Sequence, residues 1–134
     1  MTNVLELYDL AEQHGTQVYW FSLETAESLS MPLADGSCAI AMDPWCLDTL
    51  ASETVKLAHE LGHCETGAFY NRYAARDVRQ KYENRANHWA YKKLVPEHEL
   101  IEAISKGYRE PWELAEYFGV TEDFIRGAWE YYKI

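Results

Sequence analysis

The run His59-Glu60-Leu61-Gly62-His63 is an H-E-x-x-H pattern. On a helix, residues four apart lie one turn above each other, so His59 and His63 can aim two imidazoles at one metal ion. Glu60 stands one step around the helix and can reach a water bound to that metal. Two ligands and a general base at this spacing form the zinc-peptidase arrangement. Such a site needs a third protein ligand and an open position for water. Glu83 offers a carboxylate, and Asn87, four residues on, shares its helix face. If the two helices pack, Glu83 completes a two-histidine, one-glutamate zinc site. Asn87 can then accept a hydrogen bond from the non-ligating ring nitrogen of His59, which fixes its tautomer and angle. The longer pattern H-E-x-x-H-x-x-G-x-x-H is absent, because Thr66 and Phe69 stand where its glycine and third histidine belong.

Peptide hydrolysis also needs a donor to the developing oxyanion. Tyr70, Tyr73, Tyr82 and His88 are near enough in sequence to be candidates, although in a chain with ten tyrosines packing is the commoner role. His14 and His98 have no partner pattern and read as surface residues. Cys64 follows His63, but a helix turns it ~100° away, so it reads as a small buried residue rather than a ligand. Cys38, Cys46 and Cys64 are odd in number and lack framework spacing, which fits reduced thiols.

The elements that must position these groups can be read in outline. Residues 3–14 carry apolar positions at helical spacing, with Gly15 as a C-terminal cap. Residues 16–23, 27–33 and 37–42 read as short strands, the last two joined by the Asp35-Gly36 turn. One of the strands could pair with extended substrate at its free edge. Asp48 or Thr49 can cap the motif helix, which runs to about Thr66. Gly62 costs that helix propensity, which suits a close approach of another backbone or of substrate. Residues 71–95 read as one long helix with Tyr82, Ala86, Trp89, Ala90 and Leu94 as its apolar stripe, ended by Pro96. Short helices follow at about 97–106, 111–118 and 122–132, the last capped by Thr121.

At 134 residues, the chain suits one domain over 1–134. Within it, 1–66 hold the first helix, the small sheet and the motif helix, and 67–134 hold the third-ligand helix and the C-terminal helices. No apolar run approaches the ~20 residues of a membrane span. The N-terminus shows no basic region or signal-peptide core, so a cytoplasmic location is expected. Charge is lopsided: the overall −10 resides in residues 1–66, and 67–134 are neutral overall. Non-specific nucleic-acid binding is disfavoured, because neutralising phosphates needs a basic surface. Arg72, Arg76, Arg79, Lys81, Arg85, Lys92 and Lys93 make a local basic run. It reads as a solvated helix face pairing with the acidic half, or alternatively as a docking surface for an acidic protein.

The motif His59-Glu-Leu-Gly-His63, then Glu83-x-x-Ala86-Asn87-x-Trp89-Ala90, then Leu94-Val95-Pro96, resembles the ImmA/IrrE family of small bacterial and phage metallopeptidases. The resemblance spans most of the chain. Tyr91-Lys92-Lys93 is more basic than the family's usual run. The resemblance implies an α+β fold: a mainly helical, zincin-like minimal metalloprotease with a small three-stranded N-terminal sheet packed on the active-site helix. It implies a Zn2+-dependent endopeptidase with His59, His63 and Glu83 on the metal and Glu60 as catalytic base. The implied partner is a protein substrate, a helix-turn-helix transcriptional repressor of a prophage or mobile element. Two alternatives stand beside it: a zinc-containing regulator that inactivates a repressor by binding alone, and a DNA-binding regulator acting through residues 112–132. There Ala115, Gly119 and Ile125 sit where a helix-turn-helix wants them, but Glu122, Asp123 and Glu130 make a poor surface for phosphates.

Overall fold

Asn3 accepts a hydrogen bond from the Glu6 N–H and so starts helix α1 (Val4–Gln13), whose Leu7 and Ala11 are buried. The chain leaves α1 through Gly15 at φ +71°. Three strands follow: β1 (Gln17–Trp20), β2 (Ser28–Pro32) and β3 (Cys38–Met42). Their order in space is β1-β3-β2, with β1 parallel and β2 antiparallel to the central β3. The computed structural model describes all of residues 1–134, and its architecture is the expected α+β one, mainly helical with a small three-stranded sheet.

Side chains alternate across a strand, and β3 alternates in the ordinary sense. Cys38, Ile40 and Met42 are buried, and Ala39 and Ala41 lie on the outer side. Strand β2 runs the other way. Its Leu29 and Met31 are 48 % and 59 % exposed, whereas Ser28 and Ser30 pair with Met42 and Ile40 on the inner side. Both β1 and β2 are edges, and β2 packs beside the motif helix.

That helix, α2 (Leu50–Thr66), begins at Thr49, whose hydroxyl oxygen accepts from the Ser52 N–H in a capping box with Ser52. Of the two caps the sequence offered, Thr49 is the one used. Residues 71–75 form a turn rather than helix, so α3 is Arg76–Leu94. Then come α4 (Glu97–Ser105), α5 (Pro111–Phe118) and α6 (Glu122–Tyr132). Leu57, Leu61, Leu94, Leu100, Leu114 and Ile125, from five helices, join Ile40 and Met42 in one apolar cluster. The α5–α6 hairpin closes over α3. The Tyr91 ring lies 5.0 Å from that of Phe124, and the Tyr132 hydroxyl donates to the Val95 carbonyl at 2.9 Å. Burial pushes the Tyr132 phenol up to about 12, so that donor keeps its proton at any ordinary pH.

Two expectations are corrected here. Cys38 on β3 and Cys64 on α2 form a disulfide, with Cα atoms 5.9 Å apart, and only Cys46 is free. Packing the sheet against α2 brings together two thiols 26 residues apart, which spacing along the chain does not reveal. The basic run is solvated but unpaired: none of Arg72, Arg76, Arg79, Lys81, Arg85, Lys92 or Lys93 forms an ion pair. An exposed pair is worth only about 0–1 kcal/mol, so nothing compels these side chains toward the acidic half.

Candidate metal centre

The contact of α2 with α3 assembles the site. A Cβ built on Gly62 would lie 2.5 Å from the Ala86 carbonyl oxygen, so only glycine lets the two backbones meet this closely. Ala86 and Ala90, both fully buried, keep α3 thin along the same seam. Glu83 and Asn87 then lie over His59 and His63. The Glu83 oxygens stand 3.0 Å from His59 Nε2 and 2.9 Å from His63 Nε2. The two Nε2 atoms are 3.2 Å apart.

These three separations test whether the residues suit a metal. A tetrahedral zinc with ligands at ~2.0–2.1 Å spaces them about 3.3 Å apart. Glu83 Oε1 to His59 Nε2 at 3.0 Å, Glu83 Oε2 to His63 Nε2 at 2.9 Å and Nε2 to Nε2 at 3.2 Å all fall a little below that spacing, with each carboxylate oxygen facing one imidazole. The donor set, two imidazoles and a carboxylate, is also zinc's own. His59, His63 and Glu83 therefore fit the ion. Glu60 is also near: its carboxylate and the two histidines have ligand atoms all within 4.8 Å of one another. Its oxygens, however, are engaged by Ser28 Oγ and Ser30 Oγ, each at 2.7 Å.

The outer nitrogens of both histidines are anchored. His59 Nδ1 donates to Asn87 Oδ1 at 2.7 Å, the contact expected from the sequence. His63 Nδ1 donates to the backbone carbonyl of Ala68 at 2.6 Å. Sequence reasoning missed that second acceptor, because a carbonyl has no residue identity. The visible signal was Gly67, whose φ of +66° turns the chain back under the helix end. Both bonds leave Nε2 as the inward-facing lone pair, the tautomer a metal requires.

The site is a cleft of about 260 Å3, with His63 and Glu60 only 5 % and 6 % exposed. Burial alone would raise the Glu83 carboxyl, but hydrogen bonds and charge from His59 and His63 outweigh it and hold Glu83 far below the usual carboxylate range. Burial works against a charged His63, yet Glu83 and the Ala68 carbonyl prevail and raise it. A carboxylate fixed in its ionised form faces two imidazoles, and a cation placed between them replaces the proton they would otherwise share.

Of the four oxyanion candidates, only Tyr70 lines the cleft. Burial and the nearby Glu83 carboxylate raise its phenol, which keeps it a proton donor. Tyr73 is 79 % exposed. Tyr82 stacks behind Tyr70 at 6.4 Å. His88 stacks on Tyr131 at 4.2 Å in a separate groove of about 700 Å3 along α3. His14 is exposed, as expected, and its Nδ1 meets Glu65 on α2. On α6, Arg126 is turned toward Glu122 and Asp123, and Phe124, Ile125 and Ala128 are buried.

A helix-borne histidine pair, a glutamate from the next helix and a small mixed sheet alongside define the class, that of the small metallopeptidases. The IrrE N-terminal-like domain, Peptidase M78, matches residues 11–129, and the chain belongs to that family. Comparison with curated proteins and with solved structures finds no match. No helix is long and apolar enough to cross a membrane.

Proposed function

We propose that the protein is a zinc-dependent endopeptidase whose metal is held by His59, His63 and Glu83 and whose general base is Glu60. The observation that carries this reading is the convergence of both Nε2 atoms on the Glu83 carboxylate, one on each oxygen, with the buried Glu60 beside them. Zinc, when bound, polarises the scissile carbonyl and acidifies its water toward pKa ~7. The chain's own residues do the rest. Glu60 takes a proton from the attacking water and delivers it to the leaving amine, first as base and then as acid. Asn87 and the Ala68 carbonyl hold the two imidazoles at a fixed angle throughout. Tyr70, the one candidate donor in the cleft, stabilises the oxyanion.

An extended segment of substrate pairs with the free edge of β2, whose Leu29 lines the cleft. The substrate we propose is a helix-turn-helix transcriptional repressor encoded beside the protein in a prophage or mobile element. That choice follows from the resemblance of the His59–His63 and Glu83–Pro96 motifs to the ImmA/IrrE family. The pairing of Arg126 with Glu122 and Asp123 on α6 favours a protein substrate over direct DNA binding by the C-terminal hairpin.

Two measurements test the reading. Metal analysis should find about one zinc per chain, bound with folding-linked affinity. The purified protein should cut the neighbouring repressor at one site, and Glu60→Gln should abolish cleavage while zinc stays bound. A well-folded protein that takes up no zinc would overturn the reading. Full relief of repression by Glu60→Gln would show instead a regulator that works by binding.

A further inference from the structure

We propose that Ser28 and Ser30 are positioning residues for the general base, holding one carboxylate oxygen of Glu60 each. This rests on the peptidase reading above and adds to it what orients the base.

Ser28 Oγ donates to Glu60 Oε2 and Ser30 Oγ to Oε1, both at 2.7 Å. Glu60 is 6 % exposed, so water cannot replace both partners freely. The last torsion of a glutamate side chain is soft and roughly two-fold. Rotamer preference alone does not fix the plane of the carboxylate, whereas two donors on opposite oxygens do. Each carboxylate oxygen has two lone pairs, so one serine per oxygen leaves one lone pair on each for the proton that Glu60 must take.

The strand is built around this contact. In β2 the apolar Leu29 and Met31 face outward and the two serines face in, the reverse of the pattern in β3. Turning that pairing by one residue would bury both apolar side chains. It would also remove both hydroxyls from Glu60. A strand that forgoes apolar burial where the polar alternative serves one buried side chain marks a functional constraint. The same strand is a free edge of the sheet, so the element that would meet substrate also orients the base.

Ser28→Ala, Ser30→Ala and the double variant test the assignment, with Ser28→Thr and Ser30→Thr as variants that keep the hydroxyl and suit a strand. The probe is the neighbouring repressor used for Glu60→Gln. The double alanine variant should bind zinc like the unsubstituted protein, keep its KM, and lose about 10- to 100-fold in kcat, the usual effect of removing a group that orients a reacting residue. The threonine variants should restore kcat. A second readout needs no turnover: in metal-free protein the double alanine change should lower Tm, and should not lower it when Glu60→Leu is already present. Full kcat in the double alanine variant, or Tm losses that simply add, overturns the assignment alone. Loss of zinc together with turnover, unrestored by threonine, also overturns it, as a structural role. An unsubstituted protein that neither binds zinc nor cuts overturns the peptidase reading itself, and this inference with it.

Discussion

Gly62→Ala should destabilise the protein and loosen its metal site, although the same change in an exposed helix would stabilise it. Alanine gains about 1 kcal/mol over glycine in helix propensity. Against that, the new Cβ would meet the Ala86 carbonyl oxygen at 2.5 Å, with the Ala86 carbonyl carbon and Cα at 3.1 Å. These are backbone atoms of a packed helix and cannot rotate away. Restoring ordinary contact requires α2 and α3 to separate by nearly 1 Å, and overpacking of this kind costs about 1–3 kcal/mol. The net loss expected is therefore up to about 2 kcal/mol. With an unfolding entropy of ~2.1 cal/mol/K per residue, 134 residues give a Tm shift of about 4 °C per kcal/mol. The shift also has a chemical consequence. Glu83 and Asn87 flank Ala86 on α3, so moving that helix lengthens the 2.9 and 3.0 Å separations that define the site and the 2.7 Å bond to His59. Zinc affinity, measured by competition with a chromophoric chelator, should fall about 10-fold or more, as when an orienting partner is lost. A Gly62→Ala protein with raised Tm and unchanged zinc affinity would refute the close-approach reasoning.

Asn87→Ala removes the acceptor of the His59 Nδ1 proton and should weaken zinc binding about 10- to 100-fold, whereas Asn87→Asp should not; equal affinities across the three proteins would count against an orienting role. Asp43 is buried at the end of β3, where its carboxylate accepts from the Leu23 and Trp45 N–H groups, both at 2.8 Å. These bonds, that from Leu23 foremost, hold its pKa below the usual carboxylate value. The folded value lies below the unfolded one, so the stabilisation is complete above the ordinary carboxylate range and is lost as pH falls through the folded value. Urea midpoints should therefore drop on acidification, and Asp43→Asn should flatten part of that slope; an unaltered slope would dismiss Asp43 as a contributor. The Cys38–Cys64 bond closes 26 residues, which the chain-entropy relation values at about 3.5 kcal/mol. Dithiothreitol should lower the denaturation midpoint of the native protein and leave that of Cys38→Ser/Cys64→Ser unmoved.

What the sequence revealed and what it hid divide along a physical line. His59, His63, Glu83 and Asn87 were legible because each lies on a helix whose period fixes which residues share a face. One packing assumption, α2 against α3, then brings them together, and Gly62 was the mark of that contact. The Ala68 carbonyl was hidden because any residue supplies one. The disulfide was hidden because it depends on how the sheet is laid on α2. Ser28 and Ser30 were the hardest to see, for a different reason. Period-2 reading assigns apolar side chains to the interior, and in β2 that rule sends Leu29 and Met31 inward, whereas they face solvent. In β2 the inward places go instead to the two hydroxyls that donate to a buried carboxylate. In β3 beside it, Cys38, Ile40 and Met42 do face the interior. The two serine hydroxyls on Glu60 tie the geometry of the proposed general base to the sheet as well as to the helix that bears it.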